Sequence, residues 1–76
     1  MTPDHRMIIV SRMSAGFDLL GQTLRAQQKE EPGSEAHTTL ENQVFEILYY
    51  IACEGARVGM GVAEIRDMGM ARGRLQ

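Results

Sequence analysis

Seventy-six residues with a single cysteine make one domain at most and exclude a disulfide within the monomer. The net charge of −2 excludes a polycation built to hold nucleic acid along its whole surface. A chain this short buries too little surface to be more than marginal alone, and it has no clear set of metal ligands, so self-association is the simplest source of further burial.

The charge is segregated. Residues 1–29 carry four basic and two acidic groups, residues 30–54 carry six acidic groups and no basic one, and residues 55–76 carry four basic and two acidic groups. Six methionines against two phenylalanines and no tryptophan give a soft, adaptable apolar inventory. Near the N-terminus the longest apolar run is Met7-Ile8-Ile9-Val10, too short for a secretory core or a membrane span. With one cysteine, this leads to the expectation of a soluble protein in a reducing, cytoplasmic setting, away from membranes.

The first helix has a readable start. Thr2 is a good N-cap, Pro3 suits the first helical position, and Asp4 places a negative charge in the first turn. Val10, Met13, Phe17, Leu20 and Leu24 then recur at spacings of three and four, which is a heptad seam. The pattern predicts a helix over 3–29. Ile8, Ala15, Leu19 and Ala26 form a second partial stripe, so the helix has more than one apolar face to cover.

Residues 31–38 read as the turn, because Pro32-Gly33-Ser34 is turn chemistry in polar surroundings. Thr38 with Glu41 three residues on has the capping-box pattern, and Thr39 with Asn42 is a weaker competitor. A second helix is therefore expected over 39–71, followed by a frayed tail over 72–76. Its seam is Val44, Leu48, Ile51, Gly55, Val58, Val62, Ile65 and Gly69, again stepping by four and three. Each interior glycine costs about 1 kcal/mol relative to alanine. Local propensity would thus stop the helix near Gly55 or Gly59, while periodicity carries it through Gly59-Met60-Gly61, and periodicity is preferred here.

The two seams register against each other. With the turn centred on Gly33 and Ser34, Leu24 faces Val44, Leu20 faces Leu48, Phe17 faces Ile51, Met13 faces Gly55 and Val10 faces Val58. The long Met13 falls opposite a glycine that leaves room for it. Two independent patterns agreeing in this way predict an all-α fold, an antiparallel helical hairpin. The second helix would outrun the first, leaving Ile65, Met68, Met70 and Leu75 without a partner in the chain. A further line on the second helix, Phe45, Tyr49, Ala52, Ala56, Gly59 and Ala63, is mostly small and would let another helix approach closely. A homodimer closing into a four-helix bundle is the expected assembly, its interface formed by that line together with Ile8 and Leu19.

The residues that could carry chemistry are few. His5 and His37 have no obvious neighbours to act with, and solvated histidines are expected. Cys53 is followed by Glu54, which would disfavour the thiolate, so no activated nucleophile is implied. Glu30, Glu31, Glu35, Glu41, Glu46 and Glu54 read as a solvated acidic end, since the paired Glu-x-x-His ligands of di-iron bundles are absent. No catalytic residue, cofactor or metal site is expected.

The surplus of apolar helical surface implies a non-enzymatic protein–protein interaction module. Such a protein would be a small homo-oligomeric regulator or inhibitor, of the kind that phages encode, binding another protein through Tyr50, Ile65, Arg66, Met68, Met70 and Arg72. The alternative is a DNA-binding transcriptional regulator, with nucleic acid as the second choice of partner. Val62-Ala63-Glu64-Ile65 followed by Gly69-Met70-Ala71-Arg72-Gly73 resembles the middle of a helix-turn-helix, in which a glycine turn separates a short helix from a recognition helix.

Overall fold

The N-terminal half of the chain becomes one long helix because its apolar residues return every three or four positions with no proline beyond the first turn. The computed structural model describes residues 3–71, and these form α1 (Pro3–Gln28), α2 (Glu35–Arg57) and α3 (Val62–Ala71), with no strand among the described residues. The expected cap at Thr2 and the expected tail over 72–76 lie outside the described residues.

Helices α1 and α2 pack against each other as the hairpin that the two seams imply. Ile9, Met13, Phe17 and Leu20 of α1 and Ile51 of α2 are almost wholly buried and form the core. Leu24, Val44, Ile47, Val58, Met60, Ile65 and Met68 pack around it. The close approach is set by Gly16, where an added Cβ would lie 2.9 Å from Ile51 Cγ1. Ile9 takes the buried position at the start of α1, and Val10 is only half-buried where the seam placed it in the core. On α2, likewise, Ile47 turns inward and Leu48 stays 39% exposed. The strict heptad spacing blurs this distinction, because an α-helix repeats every 3.6 residues rather than 3.5.

The hairpin turn is shorter than the sequence suggested. Ser34 N–H donates to Glu31 O at 3.0 Å, closing a turn with Pro32 second and Gly33 third at φ +86°, the pattern of a type II turn. Ser34 then caps α2: its backbone is extended and its hydroxyl accepts from His37 N–H at 3.1 Å. The helix therefore starts at Glu35, and Thr38 is already inside it, donating its N–H to Ser34 O at 3.0 Å. Both Ser34 and Thr38 are competent caps, and Ser34 prevails because the proline–glycine turn delivers it first.

The continuous helix over 39–71 is corrected, since α2 ends at Arg57 and α3 begins at Val62. The stop is a complete Schellman motif. Met60 N–H donates to Gly55 O at 3.0 Å, Gly59 N–H donates to Ala56 O at 3.1 Å, and Gly59 takes φ +76°. Arg6 Nη1 adds a hydrogen bond to Val58 O at 3.0 Å, placing a guanidinium at the carbonyl end of α2, where the helix dipole favours a cation. Gly61 opens α3: its carbonyl accepts from Ile65 N–H at 3.1 Å, and its N–H donates to Glu64 Oε1 at 3.4 Å, half of a capping box. The bend returns α3 to the hairpin, and Ile65 settles over Gly55.

Candidate interaction surface

Once Ile51, Val44 and Val58 have turned toward α1, helical geometry fixes what the next face of α2 presents. Residues three and four apart along that face are Phe45, Leu48, Tyr49, Ala52 and Ala56, all exposed. Phe45 is 62% exposed and Tyr49 is 74% exposed, although aromatic side chains carry the largest burial energies in the chain. Ala52 and Ala56 follow them and leave the backbone approachable. Beside this face lies a groove of about 280 Å³, walled by Leu48, Ile51 and Ala52 on α2 and by Val62, Ile65 and Arg66 on α3, with Phe17 at its floor.

The structure brings together four of the residues expected at a self-association interface, Phe45, Tyr49, Ala52 and Ala56. Gly59 leaves that line because it occupies the Schellman turn, and Ala63 is exposed on α3, beyond the bend. Ile8 and Leu19 are 53% and 51% exposed on α1, on the side away from its buried residues, and Met7 is exposed beside Ile8. A shallow apolar depression runs over Met7, Ile8, Ser11 and Ala15 between the side chains of Asp4 and Arg12.

The expected overhang is corrected. Ile65 and Met68 pack against the core, because the glycine bend turns α3 back on the hairpin. Of the other residues expected to meet a partner, Tyr50 is 42% exposed and Met70 is 50% exposed. Arg66 is exposed and lies 3.7 Å from Asp67. Arg72 and Leu75 lie outside the described residues. Val62 is the residue that sequence reasoning missed: assigned to the seam, it is 84% exposed at the edge of the groove. The glycine turn expected near Gly69 is not formed, since α3 runs through Gly69.

The polar residues take part in structure. His37 is half-buried, with Nε2 3.4 Å from Gln27 Nε2 of α1 and Nδ1 3.9 Å from Glu41, so it ties the turn end of the hairpin together instead of being simply solvated. Glu54 departs from the solvated acidic end: it is buried, and its carboxylate is 3.4 Å from Arg57 Nη1. Cys53 is exposed as a free thiol. Among the described residues, no group of three or more histidine, cysteine, aspartate or glutamate side chains could hold a metal ion, and no helix is long and apolar enough to cross a membrane.

No family model, curated protein or solved structure matches the chain.

Proposed function

We propose that the chain is a non-enzymatic protein–protein interaction module, a small homo-oligomeric helical regulator or inhibitor of the phage-encoded kind. The observation that carries this reading is the pairing of Phe45 and Tyr49, one turn apart and largely exposed, beside the small residues Ala52 and Ala56. Exposed aromatic residues next to a surface that a helix can approach closely are the makings of an interface centre. A second copy covers this face and completes a four-helix bundle. Tyr50, Arg66 and Met70 remain for a target protein, while Ile65 and Met68 hold α3 in place.

The experiment is sedimentation of the wild-type chain and of the Phe45→Glu, Tyr49→Glu double variant, with capture of partners from source-cell lysate before and after nuclease. The wild type is expected at twice the 8.5 kDa chain mass and the double variant at the single mass. A protein partner retained after nuclease supports the target-binding part. Recovery of nucleic acid, with protein lost after nuclease, would instead favour a DNA-binding regulator. A wild-type chain that sediments as a monomer at every concentration ends the homo-oligomer part.

A further inference from the structure

We propose that α3 is an exchangeable arm: in a second form of the homo-oligomer, α2 and α3 run as one helix, and α3 of each copy docks on the hairpin of the other. The partner is a second copy of this chain, and the docking site is one that this chain's own α3 already fills. Ile65 sits so close over Gly55 that an added Cβ would lie 2.6 Å from Ile65 Cδ1 and 3.1 Å from Met13 Cε. The notch takes Ile65 beside Met13, whichever copy supplies the isoleucine.

Three further observations point to exchange. The heptad phase of α2 continues across the bend, since Val58, Val62, Ile65 and Gly69 follow Ile51 and Gly55 at spacings of four and three. The bend leaves Val62, a member of that phase, 84% exposed, and a straight helix would return it to the apolar face. The hinge itself is Gly59-Met60-Gly61; Gly59 holds φ +76°, and neither Gly59 nor Gly61 has anything within 4 Å of an added Cβ. Straightening the hinge gives up the Schellman bonds and the Arg6 bond to Val58 O and regains continuous helical bonds, with the Ile65–Gly55 contact conserved. Exchange of an identical element through a hinge is a low-cost route to a dimer.

The proposal rests on the homo-oligomer reading only in that the partner is a second copy; its contacts differ from those of the Phe45–Tyr49 face. Two variants, Gly55→Leu and Ile65→Ala, are purified separately with different tags and mixed. In the first, the introduced leucine collides with Ile65 of its own chain. In the second, the introduced alanine leaves a hole over Gly55 of its own chain. In an exchanged pair the new leucine meets the new alanine, with the flexible end of Met13 moving aside as it must in either form, and the unchanged Gly55 meets the unchanged Ile65, so both contacts between copies fit. Native mass spectrometry is expected to show the mixed pair well above its statistical share, with recovered helical signal. As a second test, the Gly59→Ala, Gly61→Ala chain is expected at twice the wild-type chain mass, and to stay there when Phe45→Glu and Tyr49→Glu are added. Loss of that mass with the glutamates would assign the dimer to the Phe45–Tyr49 face and overturn exchange. A mixture that pairs at or below the statistical share, or a monomeric hinge variant, overturns it as well.

Discussion

Gly16 of α1 and Ile51 of α2 meet so closely that a Cβ at Gly16 would lie 2.9 Å from Ile51 Cγ1, with Tyr50 Cδ1 at 3.7 Å. The two helices therefore meet closely next to the largest buried side chain, Phe17. Gly16→Val adds a branched side chain where the two helices touch. Overpacking of this kind costs about 1–3 kcal/mol, and the glycine's poor helix propensity offsets at most about 1 kcal/mol of it. A net loss of stability is expected in urea unfolding at fixed protein concentration. An unchanged midpoint would mean that α1 and α2 do not approach at Gly16.

The buried and exposed aromatics are expected to behave oppositely. Phe17 is 1% exposed, and truncating such a residue to alanine costs about 3–5 kcal/mol, enough to unfold a chain of this size. Tyr49 is 74% exposed, and Tyr49→Ala is expected to change the stability of the isolated chain by less than about 0.5 kcal/mol. Melting at several concentrations separates the roles. If a second copy covers the α2 face, Tyr49→Ala weakens the concentration dependence of the midpoint, whereas Phe17→Ala removes the transition at every concentration.

Much of the hairpin was legible because both helices carry their apolar residues at spacings of three and four, and because Met13 and Gly55 complement each other in size. The end of α2 was not legible by the same means. Periodicity records which residues would share a face if the helix continued, and Val58, Val62 and Ile65 satisfy it whether or not it does. The stop is decided by Gly59, whose positive φ completes the bonds from Met60 and Gly59 to Gly55 and Ala56, and by Arg6, which comes from the other end of the chain. No local pattern contains that last contact. Within the candidate interface, Phe45, Tyr49, Ala52 and Ala56 were readable from their spacing, whereas the groove beside Val62 exists only because the chain bends.

The turn between α1 and α2 gives a test of backbone strain that packing cannot confuse. Gly33 has φ +86° and nothing within 4 Å of an added Cβ, so Gly33→Ala acts through the backbone alone. The left-handed region costs a residue with a Cβ about 1–2 kcal/mol, and asparagine tolerates it better. Gly33→Ala is expected to lower the thermal midpoint, with Gly33→Asn between it and wild type. Equal midpoints for all three would show that the turn relaxes out of the left-handed region.

The start of α2 offers the sharpest comparison between sequence pattern and structure. Ser34 and Thr38 are both good caps by residue type, and the Thr38–Glu41 spacing has the form of a capping box. In the structure Ser34 accepts the His37 N–H at 3.1 Å, and Thr38 lies inside the helix with an exposed side chain. Removing a working cap costs about 0.5–2 kcal/mol, because an N–H at the helix start loses its acceptor. Ser34→Ala is therefore expected to lower stability and helical signal together. Thr38→Ala is expected to be neutral or slightly stabilising, since alanine is the better residue within a helix. Residue-level hydrogen exchange adds a positional readout: Ser34→Ala speeds exchange at His37, and Thr38→Ala does not. The reverse order of the two variants would move the true start of α2 to Thr38 and lengthen the turn by about one helical turn.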